Sequence, residues 1–261
     1  MTIHKTAIVS KKAKIGKNVE IGPWCVVEDG AVIGDGTKLW HSVYVASDVV
    51  IGEDNIVHMG AVLGHEPQHL AYAGGRHACP LRIGNKNIIR EYATIHRSFT
   101  KDGRTVIGNN NFFMGFSHIA HDCELMNNII MCQGAMLGGH VTVEDNVFIG
   151  GAAAAHQFSR IGELAMVGGL TRVNQDVVPY TLVECDARVR GLNIVGIRRS
   201  DLSEASKRQI KEIYRFIYLS GLNTTNAIKE IRKASSLTPE AKHMVDFIER
   251  SKRGICGHIK D

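Results

Sequence analysis

Two histidines and an aspartate fall within five positions in the stretch His118, Ile119, Ala120, His121, Asp122. A histidine of near-neutral pKa can take a proton from a hydroxyl as that oxygen attacks a carbonyl. An adjacent carboxylate such as Asp122 can hold the imidazole in the right tautomer and stabilise its charged form. Gly138 and Gly139 lie one coil further on, where backbone N–H groups could receive a developing oxyanion with no side chain in the way. A base, an orienting acid and oxyanion donors suit acyl transfer from a thioester to a hydroxyl, without a serine or cysteine nucleophile. Three more histidines, His96, His140 and His156, recur nearby.

Whether these groups meet depends on the elements that carry them. Counting in sixes from Ile3 gives Ile3, Val9, Ile15, Ile21, Val27, Ile33, Leu39, Val45, Ile51, Val57 and Leu63, all branched aliphatics. The register resumes at Ile83, Ile89 and Ile95, then runs Ile107, Phe113, Ile119, Leu125, Met131, Leu137, Val143, Ile149, Ala155, Ile161, Val167 and Val173. A period of six fits neither the 3.6-residue helix nor simple strand alternation. It fits a parallel β-solenoid in which each hexad forms one side and its aliphatic residue points into a narrow core. Three hexads per coil give a triangular prism. Cys123 falls near an interior corner, so packing is its expected role.

On this prism the histidines converge. Numbering each coil from 0 to 17, with zero at Ile107 or Ile83, puts His118 at 11, His121 at 14, His140 at 15, His156 at 13 and His96 at 13. Five of the thirteen histidines therefore share one edge. The breaks agree: a loop over 64–82 leaves after the second hexad of its coil, near this edge, and a shorter one over 101–106 leaves after the third. Outward positions of a solenoid are polar anyway, which explains one histidine but not five in one strip. A rival reading is metal binding, since γ-class carbonic anhydrases hold zinc through three histidines across such prisms. Their paired histidines lie five apart, whereas His118 and His121 lie three apart, and no metal is expected here.

After Pro179 the period ends, and from about Ser200 a helical pattern follows. Ile210, Ile213, Phe216 and Ile217 form one apolar face ending at Gly221; Thr224 or Thr225 could cap a second helix; Thr238-Pro239 starts a third, closed by Gly254. The expected domains are a β-helix over 1–196 and a helical domain over 197–261. Residues 198–261 hold 14 Lys/Arg against 8 Asp/Glu, while the first 197 hold 17 against 18. Such a basic tail suits an acidic partner; no nucleic-acid-binding motif accompanies it. The six cysteines, Cys79 among them, show no paired spacing, and no apolar run is long enough to span a bilayer. A reduced, cytoplasmic protein without membrane insertion is expected.

The stretches HIAHDC (118–123), LGGHVTV (137–143), AAHQF (154–158), MVGG (166–169), QDVVPY (175–180), IREYATIHR (89–97) and GLNIVGIRR (191–199) resemble the UDP-N-acetylglucosamine acyltransferases of the hexapeptide-repeat superfamily. That resemblance covers nearly the whole chain. It implies a left-handed parallel β-helix with C-terminal helices, assembled as a homotrimer with sites between neighbouring prisms. It implies transfer of a (3R)-3-hydroxyacyl group from the phosphopantetheine arm of acyl carrier protein to the sugar 3-hydroxyl, the first step of lipid A biosynthesis, with no other cofactor. His121 matches the base, Asp122 its partner and Gly139 the oxyanion donor. His96, His118, His140 and His156 match substrate-positioning histidines; Gln157, Asn193 and Arg199 match positions near the nucleotide and carrier arm; Met166 falls in the region limiting chain length. The departures concentrate on the acceptor. The usual QDLKY reads Gln68-His69-Leu70-Ala71-Tyr72, the usual EGN reads Glu184-Cys185-Asp186, and Ser200 replaces the second arginine of a pair. A paralogue acting on another nucleotide sugar, such as a 3-amino analogue giving an amide, fits the same residues. So does an inactive trimeric scaffold in principle, but neither the base nor the oxyanion glycine is lost.

Overall fold

The computed structural model describes residues 1–72, 81–100, 102–233 and 236–258. Short strands, mostly two residues long, recur every six positions and stack into three sheets of eleven, nine and eight strands among the described residues, parallel except for the last strand of the first. In the regular part, partners lie three hexads apart: Ile3 pairs with Ile21, Val27 with Val45 and Ile119 with Leu137. Each strand's second residue is the aliphatic of its hexad. Ile33, Ile51, Leu63, Ile89, Ile95, Ile107, Phe113, Ile119 and Leu125 are essentially without solvent contact. The chain runs from the first sheet to the second to the third and back, so the corner between the second and third sheets lies opposite the first.

The corners are turns whose second residue takes a left-handed conformation, with φ between 53° and 63° at Asn18, Trp24, Asp122, His140, Ala152 and Phe158 among others. An L residue loses energy there, and asparagine and aspartate tolerate it best, which accounts for several of these identities. The backbone N–H of that residue donates one coil back, as from His140 to the His121 carbonyl (3.0 Å). The N–H of the turn's first residue has no such backbone partner, and Pro23 can occupy that place. In several corners it takes an oxygen from a side chain: Lys17 N donates to Asp35, Asn127 N to Asp145 (both 2.7 Å) and Ser47 N to Glu28 (3.0 Å).

Two insertions interrupt the period. Leu63 pairs with Ile95, 32 positions on, and Ile95 with Ile119, 24 positions on. Strands occupy Val62–His65 and Leu81–Ile83, so Gly64 and Arg82, expected in the first loop, are strand residues; 73–80, with Cys79, lie outside the described residues. The second insertion was expected over 101–106, but Thr105–Ile107 is already a strand paired with Leu81–Ile83, which places the loop at 97–104; Lys101 lies outside the described residues. Both insertions therefore leave from one corner, between the second and third sheets.

The two ends differ. Ile3 remains 39% exposed because no coil lies beneath it. At the other end the solenoid does not stop at Pro179: Thr181–Glu184 still pairs in parallel with Met166–Val167, and Arg188–Leu192 closes the sheet as an antiparallel hairpin. A terminal cap of this kind hides the last open layer. Four helices follow. α1 (Ile194–Arg199) is capped by Asn193, and α2 (Glu204–Tyr218) by Ser203. α3 (Thr224–Ile231) is capped by Asn223 rather than by either threonine. α4 (Pro239–Glu249) has the expected Thr238 cap but ends at Arg250, and Gly254 serves a later turn at φ 78°. α4 is pinned to the prism by Arg160, which donates to the buried Asp176 carboxylate (2.9 Å) and the Phe247 carbonyl (2.7 Å) and lies over the Phe247 ring. No helix among the described residues is long and apolar enough to cross a membrane.

Candidate active site

The corner from which both loops leave carries the histidines. Along successive coils, His121, Gly139 and Gln157 occupy the first turn position, and Asp122, His140 and Phe158 the second, each three hexads apart. His118 and His96 stand just before this corner on the second sheet, at different register positions but with their rings 5.2 Å apart. His121 is nearly buried. Its Nδ1 donates to Asp122 Oδ2 at 2.8 Å, which leaves the Nε2 lone pair free. The Asp122 carboxylate also receives the Ser98 hydroxyl and the Phe99 N–H (2.9 Å). Burial opposes its ionisation, but the bonds from His121, Ser98 and Phe99 together hold the carboxyl below its usual range.

Gly139 lies flat against the imidazole. A Cβ there would stand 2.7 Å from His121 Cε1 and 2.8 Å from Nε2. Its N–H is the orphan first-turn donor described above, and no hydrogen bond among the described residues uses it. In other corners that N–H meets carboxylate oxygens, so the position is already suited to an anionic oxygen.

Around this centre lie aromatic rings. His69 packs on Phe99 with centroids 4.0 Å apart and meets His121 edge-on at 5.4 Å; His140 meets His121 edge-on at 5.3 Å and stacks on Phe158 at 4.5 Å. The Ala71 N–H donates to His69 Nδ1 (3.2 Å), so the His69 proton sits on Nε2. His118 shares a hydrogen bond with Thr94 (2.8 Å); burial, then repulsion from His96, drives its pKa down to about 4. Burial also lowers His96, against its bond to the Glu66 carbonyl (2.6 Å), and lowers His140, against the pull of Asp122. Cys123 is fully buried, with its thiol on the Gly138 carbonyl, and burial pushes its pKa up to about 12, a packing residue as expected. One His/Asp set among the described residues has donor atoms close enough for a cation: His121, Asp122 and His140, all within 4.8 Å. A cation there would compete with His121 for the Asp122 oxygen.

The structure thus brings together His69, His96, His118, His121, Asp122, Gly139 and His140. His156 and Gln157 lie one coil further along, exposed, with Arg253 from the tail reaching His156 Nδ1 (3.3 Å). Gln68 is exposed in the loop beside His69. Met166 lies elsewhere, on the first sheet, which faces away from the histidine corner. Asn193 donates to the Leu164 carbonyl and caps α1, and Arg199 ends that helix. Sequence reasoning missed Ser98, Phe99 and Phe158. The three-hexad step from His140 points to Phe158; nothing periodic points to the other two, because they sit in an insertion.

Comparison with known proteins gives this geometry a family. A model described as "Udp N-acetylglucosamine O-acyltransferase; Domain 2" matches residues 176–256, and one described as "Bacterial transferase hexapeptide (six repeats)" matches 30–65. The acyl-[acyl-carrier-protein]–UDP-N-acetylglucosamine O-acyltransferase of Thermodesulfovibrio yellowstonii is 45% identical over 97% of this chain and 98% of its own. The chain belongs to the UDP-N-acetylglucosamine O-acyltransferase family. Solved structures agree: LpxA from Acinetobacter baumannii superposes with a TM-score of 0.93 at 37% identity, covering 98% of this chain and all of the other. The family's enzyme from Bacteroides fragilis gives 0.93 at 36%, over 97% and 99%. The fold class of the family, a hexapeptide-repeat β-helix with C-terminal helices, is the one expected from the six-residue period and the helical pattern after it, and the chain is an acyltransferase by membership of this family.

Proposed function

We propose that this enzyme transfers a (3R)-3-hydroxyacyl group from acyl carrier protein to the 3-hydroxyl of UDP-N-acetylglucosamine, the first step of lipid A biosynthesis. The observation that carries the chemistry is His121, bonded through Nδ1 to Asp122 and pressed face-on against Gly139. His121 Nε2 takes the proton of the sugar 3-hydroxyl as its oxygen attacks the thioester carbon. The tetrahedral oxyanion accepts the Gly139 N–H. The C–S bond then breaks, and the imidazolium returns its proton to the departing thiolate of the phosphopantetheine arm. Asp122 stabilises the imidazolium between these steps.

His96 and His118, held neutral by burial, present uncharged rings to bind polar groups of the substrate, with His140, His156 and Gln157 continuing the cleft toward the tail. Met166 serves the site only from a neighbouring copy, because it lies on the first sheet, opposite the histidine corner, and Asn193 and Arg199, at the C-terminal end of the prism, are assigned to that same copy. That supports a homotrimer with each site between two prisms. The basic tail supports docking of an acidic carrier protein. A second reading rests on His69 and Ala71, which stand where the family pattern places aspartate and lysine: an acceptor bearing a 3-amino group, giving an amide. The test is transfer from 3-hydroxyacyl carrier protein to each acceptor, followed by mass spectrometry, for wild type and His121→Ala. Ester product that disappears in the variant supports the first reading; product from the amino sugar alone supports the second; none from either refutes both.

A further inference from the structure

We propose that residues 97–100 and 102–104 of the second insertion are a holder for the Asp122 carboxylate, and that Ser98 is a positioning residue which dictates the imidazole Asp122 serves. The proposal rests on the His121 base assigned above. Asp122 has two imidazoles within reach, His121 Nδ1 at 2.8 Å and His140 Nε2 at 3.9 Å. Bonded to neither loop donor, the carboxylate could turn about its own axis and be shared between them. The loop prevents this from several directions. The Ser98 hydroxyl donates to Oδ1, and the Phe99 N–H donates to Oδ2 beside the His121 bond. The Thr100 carbonyl lies 3.0 Å from the same hydroxyl, but the ionised carboxylate is the stronger acceptor. The Asp122 backbone is fixed separately, its N–H donating to the Thr105 hydroxyl (2.8 Å) where the loop rejoins the prism.

The loop's own form is fitted to this purpose. Ser98 Oγ accepts the Thr100 N–H at 3.1 Å, a tight turn that keeps the serine oxygen close to the carboxylate. Gly103 closes over it. A Cβ at Gly103 would collide with Asp122 Oδ1, Ser98 Oγ and Thr100 Oγ1 at once. Only glycine lets the returning chain pass this close, so Gly103 packs directly on the carboxylate and its serine. Its residues are silent in the six-residue period because they replace a regular turn with a purpose-built one.

The test compares Ser98→Ala and Ser98→Thr with wild type in the full chain. Ser98→Ala is expected to lower kcat roughly tenfold to hundredfold, the range for loss of a partner that orients a functional ligand, with KM within about twofold of wild type. Ser98→Thr keeps the hydroxyl and is expected to recover most of kcat. A readout independent of turnover is the downfield proton of His121 Nδ1 in NMR: it should broaden or shift in Ser98→Ala and persist in Ser98→Thr. An unchanged kcat and an unchanged Nδ1 proton in Ser98→Ala overturn the proposal, as does a threonine variant as poor as the alanine one. If wild type transfers to neither acceptor, the functional reading has failed, while the Nδ1 proton still decides the holder.

Discussion

Gly139→Ala isolates the contact on which the proposed mechanism turns. The substitution keeps the backbone N–H, so any loss cannot come from a missing donor. It adds one methyl group 2.7 Å from His121 Cε1 and 2.8 Å from Nε2, where ordinary contact begins at 3.4 Å. The ring or the turn must therefore move by about 0.7 Å. The turn is poorly able to give: the His140 N–H and Gly138 N–H on either side are both tied into neighbouring coils, at 3.0 and 2.9 Å. The imidazole moves instead, and its bond to Asp122 stretches from 2.8 Å toward about 3.5 Å, beyond a useful hydrogen bond. A misplacement near 1 Å costs on the order of a hundredfold in rate, so kcat should fall by about that factor. Overpacking a dense site costs about 1–3 kcal/mol of stability, enough to lower Tm but not to unfold the prism. Steady-state transfer kinetics and thermal melts on the same preparation check both. A kcat within twofold of wild type would show that His121 is not seated against Gly139 during turnover, and the base assignment would fall with it.

Other outcomes follow from particular contacts. Arg160→Ala leaves the Asp176 carboxylate, 1% exposed, with the Ser251 hydroxyl and the backbone N–H of residue 160 but without its cation, so stability should fall by about 3 kcal/mol in urea melts, with α4 losing protection first in hydrogen exchange; an unchanged melt would refute the anchor. His118 has a folded pKa of about 4 against 6.5, so the unfolded chain binds the extra proton between those values and stability is lost as pH falls through that window. The gap corresponds to at most about 3 kcal/mol, and His118→Gln should flatten the slope of stability between pH 6.5 and 4; the same slope in both proteins would contradict it. Brief alkylation of the native protein should modify the exposed Cys185 and spare Cys123 and Cys256, whose thiols burial pushes up to about 12, as peptide mass spectrometry would reveal. Dialysis against EDTA should leave kcat unchanged; a loss restored by zinc would mean that His121, Asp122 and His140 hold a working metal.

The solenoid was legible because its physics is one-dimensional. Each coil must place an aliphatic residue inward at the same step, so the register of Ile3 to Leu63 is written openly, and the step carries the histidines to a common edge without any structure. What the period could not show is where it is interrupted. Thr105 and Val106 read as loop because their hexad partner lies across an insertion; they are strand because Leu81 and Arg82 await them. The hairpin at Arg188–Leu192 escaped notice for a similar reason: antiparallel closure obeys alternation, not sixes. Two threonines follow Asn223 and compete with it as caps in the sequence, yet its side chain reaches the third N–H and sets the start of α3.

The same distinction explains where the candidate site sits. Among the described residues, a regular turn without proline at its first position offers an N–H with no backbone partner there, so donors for an oxyanion are common and rigidly spaced. A donor column alone does nothing; in several corners it binds the protein's own carboxylates. At the histidine corner the two coils just N-terminal to Asp122 have lost their regular turns to insertions, while those C-terminal to it keep theirs. The insertions bring His69, Ser98 and Phe99, groups no repeat could place, against His121 and Asp122. The regular coils bring Gly139, His140 and Phe158 at fixed steps beyond them. Catalysis by preorganisation needs both a rigid frame and contacts made to measure. Only the seam between irregular and regular coils supplies the two together, which is why the breaks in the period mark the site as clearly as the histidines do.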